Sequence, residues 1–145
     1  MVIVIISVLA LFVLPKAVDV STFTLSSYCD RIQNATTFAN RLALAQRRPI
    51  VVSFAASGVS IAYAAGGAIN LPVTDPSTGA AFSLACPAAF PTCITSGAGT
   101  NVTFNANNSG ASTTSTGASV QVTVSGSGNA QNFTVEPITG FVRRT

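Results

Sequence analysis

The strongest constraint on this chain is its opening run, MVIVIISVLALFVLP. Residues 1–14 are apolar except for Ser7, and no charge appears before Lys16. Such a run has to be withdrawn from water, into a membrane or into an assembly. A helix that spans a hydrocarbon core needs about 20 apolar residues, and this run falls about six short. The expectation is that a few further residues precede Met1. Pro15 lacks a backbone donor and clashes with the turn before it, so it bends or interrupts a helix. The next residues, VDVSTFT, are rich in β-branched side chains, which weaken helix formation. Residues 15–24 are therefore expected to be kinked or melted.

A helical pattern resumes at Leu25. Leu25, Tyr28, Ile32, Ala35, Ala39 and Leu42 recur at steps of three and four and make one apolar stripe, which Phe38 and Ala45 widen. Asp30, Arg31, Gln33, Asn34, Arg41 and Arg47 fall mostly on other faces. Thr24 or Ser26 is the expected cap, and Pro49 ends the helix after Arg48. The period then changes to two. Residues 49–56 and 59–64 read as strands joined at Ser57-Gly58. An irregular stretch, 68–99, contains Pro72, Pro76, Pro87 and Pro91, with a short strand candidate at 80–85. Residues 102–105 read as a strand and 107–117 as a polar, exposed loop. Residues 119–124 and 131–135 make a second hairpin across GSGNA, and 139–143 closes the sheet. A long helix followed by antiparallel strands is an α+β order, with the sheet packed on the C-terminal half of the helix.

Composition narrows the functional classes. The chain has 145 residues, 48% hydrophobic and only 8% charged, with a net charge of +3. So little charge suits a subunit whose apolar helix is buried in a membrane or an assembly. Nucleic acid is not an expected partner, because the only basic pairs are Arg47–Arg48 and Arg143–Arg144, too few to neutralise much phosphate. There is no histidine, so the commonest general base is missing. The carboxylates Asp19, Asp30, Asp75 and Glu136 lie in different elements, and no catalytic residue is assigned. No cofactor and no metal site is expected; three dispersed cysteines make no zinc ligand set. Cys86 and Cys93 bracket CPAAFPTC and are the candidates for a disulfide that closes a small loop. Cys29 is expected to be a buried small apolar residue. Asn34, Asn101, Asn107 and Asn132 each begin an Asn-x-Ser/Thr triplet, and Asn101, Asn107 and Asn132 are the glycosylation candidates outside the helix.

Three stretches together resemble a known family. VIVIISVLALFVLPK (residues 2–16) looks like the N-terminal helix of type IV pilins and type II secretion pseudopilins. TFANRLALAQRRPIVVSF (Thr37–Phe54) is similar to the minor-pseudopilin and MSHA-type branch. So is the closing pattern NVTFNANNSG, VQVTVSG and FTVEPITGFVR. In that family a Phe-Thr-Leu-x-Glu segment follows a cleaved leader and precedes the apolar run; aligned on Pro15, it falls upstream of Met1. The resemblance implies a pilin-like α+β fold. Residues 1–48 would form the N-terminal helix, kinked near Pro15, and residues 49–145 a β-rich head. Met1, Val2, Ile3, Val4, Ile5, Ile6, Val8, Leu9, Leu11, Phe12, Val13 and Leu14 would be the filament core. Lys16, Asp19, Asp30 and Arg31 would be candidate charges between subunits.

The function so implied is that of a structural subunit of a type IV pilus-like extracellular filament. Its partners would be copies of itself, the pilus or type II secretion assembly machinery and, before assembly, the inner membrane. Leader cleavage and N-terminal methylation belong to the same picture. Two alternatives stand beside it: a minor pseudopilin of a type II secretion system, in a periplasmic pseudopilus, and an anchored or secreted adhesive β domain that does not polymerise. A discarded secretion signal is the plainest alternative for the run itself, but Leu14-Pro15-Lys16 is a poor cleavage site.

Overall fold

A computed structural model describes residues 20–64, 71–105, 112–114 and 118–145. The apolar run Met1–Leu14, with Pro15, Lys16, Asp19 and Asn107, lies outside the described residues.

Helix α1 spans Val20–Gln46, 27 residues. It begins earlier than the sequence predicts, since residues 20–24 were expected to be melted. The β-branched residues there lower helix propensity by only roughly half a kcal/mol each, and an established helix gains a backbone hydrogen bond with every residue added. Thr22 is also held from outside, by Asn129 Nδ2 donating to its Oγ1 at 3.0 Å. Thr24 and Ser26 are thus interior helical residues rather than caps. The far end stops two residues short of the expected Arg48. Arg47 takes a left-handed conformation, φ 52°, and the Arg48 N–H donates back to the Ala43 carbonyl at 3.2 Å. This is a Schellman-type terminus with arginine where glycine is usual.

The expected single sheet is two sheets. In the first, β1 (Ile50–Ala55) and β2 (Gly58–Tyr63) form a hairpin with Ala55 opposite Gly58. β3 (Ser83–Ala85) pairs with β2. β5 (Asn101–Phe104) pairs with the other side of β1, and β6 (Ser112–Thr114) lies outside β5, giving the order β3-β2-β1-β5-β6. The second sheet has the order β4-β7-β8-β9, from β4 (Ile94–Ser96), β7 (Val120–Gly126), β8 (Asn129–Val135) and β9 (Val142–Arg144).

Several boundaries differ from the sequence reading for identifiable reasons. β6 falls inside the stretch expected to be a polar loop; its two threonines suit a strand, and β5 offers them an open edge. β4 follows the cysteine loop, where no strand was expected. Residues 80–85 supply a strand only at β3, with a single bridge from Ala81 to Thr74. β9 starts at Val142 rather than Thr139, because residues 136–140 form a turn. The second hairpin is longer and tighter than expected. Its turn is only Ser127-Gly128, with φ 49° and 79°, a primed turn that matches strand twist.

Helix α1 lies across both sheets, against β1 and β5 of one and β7, β8 and β9 of the other. Its buried stripe is Leu25, Tyr28, Cys29, Ile32, Ala35, Ala39 and Ala43, close to the expected one. Ala45 is exposed, however, and does not widen it. Alternate residues of the strands complete the core: Ile50, Val52 and Phe54 from β1, Val120, Val122 and Val124 from β7, Phe133 and Val135 from β8. Phe54 and Phe133 meet with ring centroids 6.0 Å apart and join the two sheets. Each such side chain contributes about 1.5–3 kcal/mol on burial.

The crossing between the sheets is pinned by a Cys86–Cys93 disulfide, Cα atoms 5.7 Å apart, between β3 and β4. Within that loop, Phe90 covers Gly126 so closely that a Cβ there would lie 2.7 Å from the ring. Gly58 is tighter still, because a Cβ would meet the Leu84 carbonyl oxygen at 2.3 Å.

Two stability changes of opposite sign follow, both readable by urea unfolding. Gly58→Ala should destabilise by about 1–3 kcal/mol, because the clash is with backbone and β2 and β3 must separate. Arg47→Gly should stabilise by about 0.5–1 kcal/mol by relieving the left-handed strain. An unchanged midpoint in either variant would contradict the corresponding geometry.

Candidate assembly surface

The charges expected to pair between subunits divide in two. Lys16 and Asp19 lie outside the described residues. Asp30 is engaged within the chain: Arg144 Nη1 donates to its Oδ1 at 3.1 Å. The same guanidinium donates through Nη2 to Ser26 Oγ at 3.2 Å and to Gln131 Oε1. Asp30 therefore has a partner 114 residues away, which spacing along the helix cannot reveal. The pair is about half exposed and contributes little by itself; its effect is to fasten β9 to the helix and to neutralise that flank.

Arg31, one residue on, points to the other flank. There it borders two shallow grooves between α1 and the edge of the first sheet. One, of about 270 Å³, is lined by Phe23, Thr24, Ser27, Tyr28, Arg31, Ala85 and Pro87. The second, of about 320 Å³, has Asn34, Phe38, Asp75 and Phe82 among its walls, with the rings of Phe38 and Phe82 stacked at 6.0 Å. Tyr28 closes the space between the helix and β3, its hydroxyl donating to the Leu84 carbonyl at 3.0 Å. Asp75 accepts the Ser77 N–H at 2.8 Å and the Ser77 hydroxyl at 2.7 Å. These bonds favour the charged form and hold its carboxyl below the usual range.

On the opposite flank, the turn between β8 and β9 carries Ile138 and Phe141, 79% and 61% exposed. This turn is well anchored. Asn40 Nδ2 donates to the Gly140 carbonyl at 3.2 Å, the Glu136 N–H to Phe141 O at 2.9 Å, and the Gly140 N–H to Glu136 O at 2.9 Å. Arg143 pairs with Glu136 at 3.1 Å. The sequence reading missed these two residues, as it missed Phe23, which is 71% exposed at the start of α1. A signal was available for all three: Phe23 falls off the apolar stripe, and Ile138 and Phe141 flank Gly140 in a segment opened by Pro137.

The remaining candidates are spread over the head. Asn101 is exposed at the start of β5. Asn132, on β8, has its amide oxygen buried without a partner among the described residues. Arg48 stacks over the Tyr63 ring, 4.7 Å from its centroid, while the Tyr63 hydroxyl donates to Gln46 Oε1 at 2.8 Å. Among the described residues, no three His, Cys, Asp or Glu side chains are grouped to hold a metal. No helix among them is long and apolar enough to cross a membrane.

Comparison with known proteins identifies the fold. No protein-family model and no curated protein matches the chain at a significant level. Two crystal forms of the type IV minor pilin FimU of Pseudomonas aeruginosa do match in structure. One is 16% identical with a TM-score of 0.57 and covers 86% of this chain and 90% of the other. The second is 16% identical with a TM-score of 0.54 over 83% and 91%. The chain has a type IV pilin-like α+β fold, a helix packed on antiparallel sheets.

Burial sets an alkaline limit on this surface. It pushes the Tyr28 phenol above its ordinary value and does the same to the Cys29 thiol, which is wholly buried. A group whose folded pKa is raised contributes its full stability below the unfolded pKa and loses it as pH rises through the folded one. Unfolding monitored against pH should therefore show stability falling from about pH 9 upward, where unfolded cysteine and then tyrosine ionise. Tyr28→Phe should remove the tyrosine part of that fall, while leaving Leu84 O without its donor at a cost of about 1 kcal/mol near neutral pH. An alkaline limb identical in the variant would refute the assignment.

Proposed function

We propose that the chain is a structural subunit of a type IV pilus-like extracellular filament, polymerising through its apolar N-terminal segment. The observation that carries this reading is the register between sequence and structure. Helix α1 begins at Val20, a few residues beyond the uncharged run, and from there to Gln46 its apolar stripe is fully used by the head. The uncharged run Met1–Leu14 that precedes it in the sequence also has to be withdrawn from water. Lipid serves before assembly and the same segment of neighbouring copies after it. The pilin-like fold supports the same reading. Lys16, Asp19 and Arg31 remain the charges proposed to pair between copies; Asp30 does so only if Arg144 releases it.

The test is immunogold microscopy of a sheared surface fraction from the native source, with Leu9→Asp as the variant. Labelled filaments are expected for the natural chain. A charge in the middle of an apolar helix costs about 2.5–3.5 kcal/mol, so filament-borne chain should fall by roughly two orders of magnitude, with the urea midpoint of the head unchanged. Undiminished filaments in the variant, or a natural chain that is found only as monomer in that fraction, would overturn the proposal.

A further inference from the structure

The second groove beside α1 carries a set of side chains that the packing of the head does not use. Arg31, Asn34 and Phe38 stand three and four residues apart, so they share one side of the helix and form one wall. The other wall is the loop 73–82, which carries Asp75, Ser77 and Phe82. This loop is firmly held. The Asp75 N–H donates to Ala80 O and the Gly79 N–H to Asp75 O, both at 2.8 Å, and the Phe82 N–H donates to Val73 O at 2.7 Å. A bridge joins Thr74 to Ala81. Phe38 and Phe82 are half-buried and stack on each other where the two walls meet.

The rim is polar and electrically balanced. Arg31 and Asn34 are exposed, and no ion pair joins Arg31 to Asp75 among the described residues. A cation and an anion therefore stand on different walls of one groove without neutralising each other. Ser77 fixes the Asp75 carboxylate through two hydrogen bonds, of the four or so that a carboxylate accepts. Guanidinium, carboxamide and carboxylate are planar groups, each able to engage two adjacent hydroxyls. The faces of the phenylalanine rings carry the negative part of the ring quadrupole, which suits weakly positive C–H groups.

These features define an occupant by its chemistry. One positive and one negative side chain sum to zero, so neither a polyanion nor a cation is favoured. The fitting molecule is uncharged, with an apolar face and a rim of hydroxyls. The groove, of about 320 Å³, lies at the small end of ligand clefts, roughly 300–1,000 Å³, and its shallowness suits one unit of a longer chain. We propose that it binds a pyranose unit of a neutral glycan, with the C–H face of the sugar on Phe38 and Phe82 and its hydroxyls on Arg31, Asn34 and Asp75. The site belongs to the head alone and goes beyond the filament reading. Arg31 is common to both, so its pairing between copies and sugar binding compete.

The experiment is saturation-transfer NMR on the full chain in phosphocholine micelles, which contain no sugar and no aromatic protons. The probes are the methyl pyranosides of galactose, glucose and mannose. Irradiation of the aromatic protons should transfer signal to the C–H protons of at least one sugar, with a Kd of about 1 mM. Arg31→Ala should weaken that binding about tenfold and Asn34→Ala about threefold. Neither should lower the melting temperature, because both positions are exposed on a helix and alanine is the best helix former. Phe82→Leu should abolish the transfer; should that variant unfold, the two exposed variants decide. The methyl glycoside of glucuronic acid should bind no better than that of glucose. Leu9→Asp, which tests the filament reading, should leave sugar binding unchanged. No transfer to any of the three sugars at about 20 mM, well above a millimolar Kd, would overturn the proposal. So would transfer undiminished when Arg31→Ala and Asn34→Ala are combined, which would put the sugar elsewhere. Tighter binding of the glucuronide would also overturn it, since that marks an anion site.

Discussion

One packing event organises the head: a single helix seats one apolar stripe on two sheets at once. Ala35, Ala39 and Ala43 make this feasible. Small side chains at every fourth position let the helix approach closely, so that β1 and β5 on one side and β7, β8 and β9 on the other share its buried face. The Phe54–Phe133 contact fills the seam between the sheets. A cavity-forming change at that seam would be felt by all three layers, because interiors packed to crystalline density have no slack to absorb it.

The connections serve this arrangement. The chain leaves the first sheet at β3 and enters the second at β4, and the Cys86–Cys93 bond closes that crossing. Backbone hydrogen bonds stitch the same corner, with the Cys86 N–H donating to Ser57 O at 2.9 Å and the Ser125 N–H to Cys93 O at 2.8 Å. Gly58 and Gly126 are placed where neighbouring groups leave no room for a side chain. The corner is thus held by a covalent bond, by backbone pairing and by close approach, the last including the Phe90 ring against Gly126.

Charge is sparse, and the carboxylates among the described residues are engaged within the chain. Asp30 binds Arg144 and Glu136 binds Arg143; Asp75 organises its own turn through Ser77. Exposed ion pairs of this kind contribute little stability. They do orient β9 against the helix and leave apolar residues as the prominent features at both margins of the head.

Sequence alone determined the parts that depend on local pattern. The 3–4 spacing of Leu25, Tyr28, Ile32, Ala35 and Ala39 specified the helix and its buried face, because a helix brings those positions together whatever it packs on. Alternation and the glycine-bearing turns specified both hairpins, and the change of period at Pro49 specified an α+β order. Tertiary structure alone decided the rest. Residues 20–24 became helical because a modest propensity deficit yields to helix continuation and to a bond from Asn129. The polar stretch after Asn107 contributed β6 because β5 left an edge to be paired. Two sheets formed instead of one, Asp30 found Arg144, and Ile138 and Phe141 were left in the open. Each of these depends on which distant segment arrives alongside, and that energy is set by contacts between residues far apart in the chain, which no local pattern encodes.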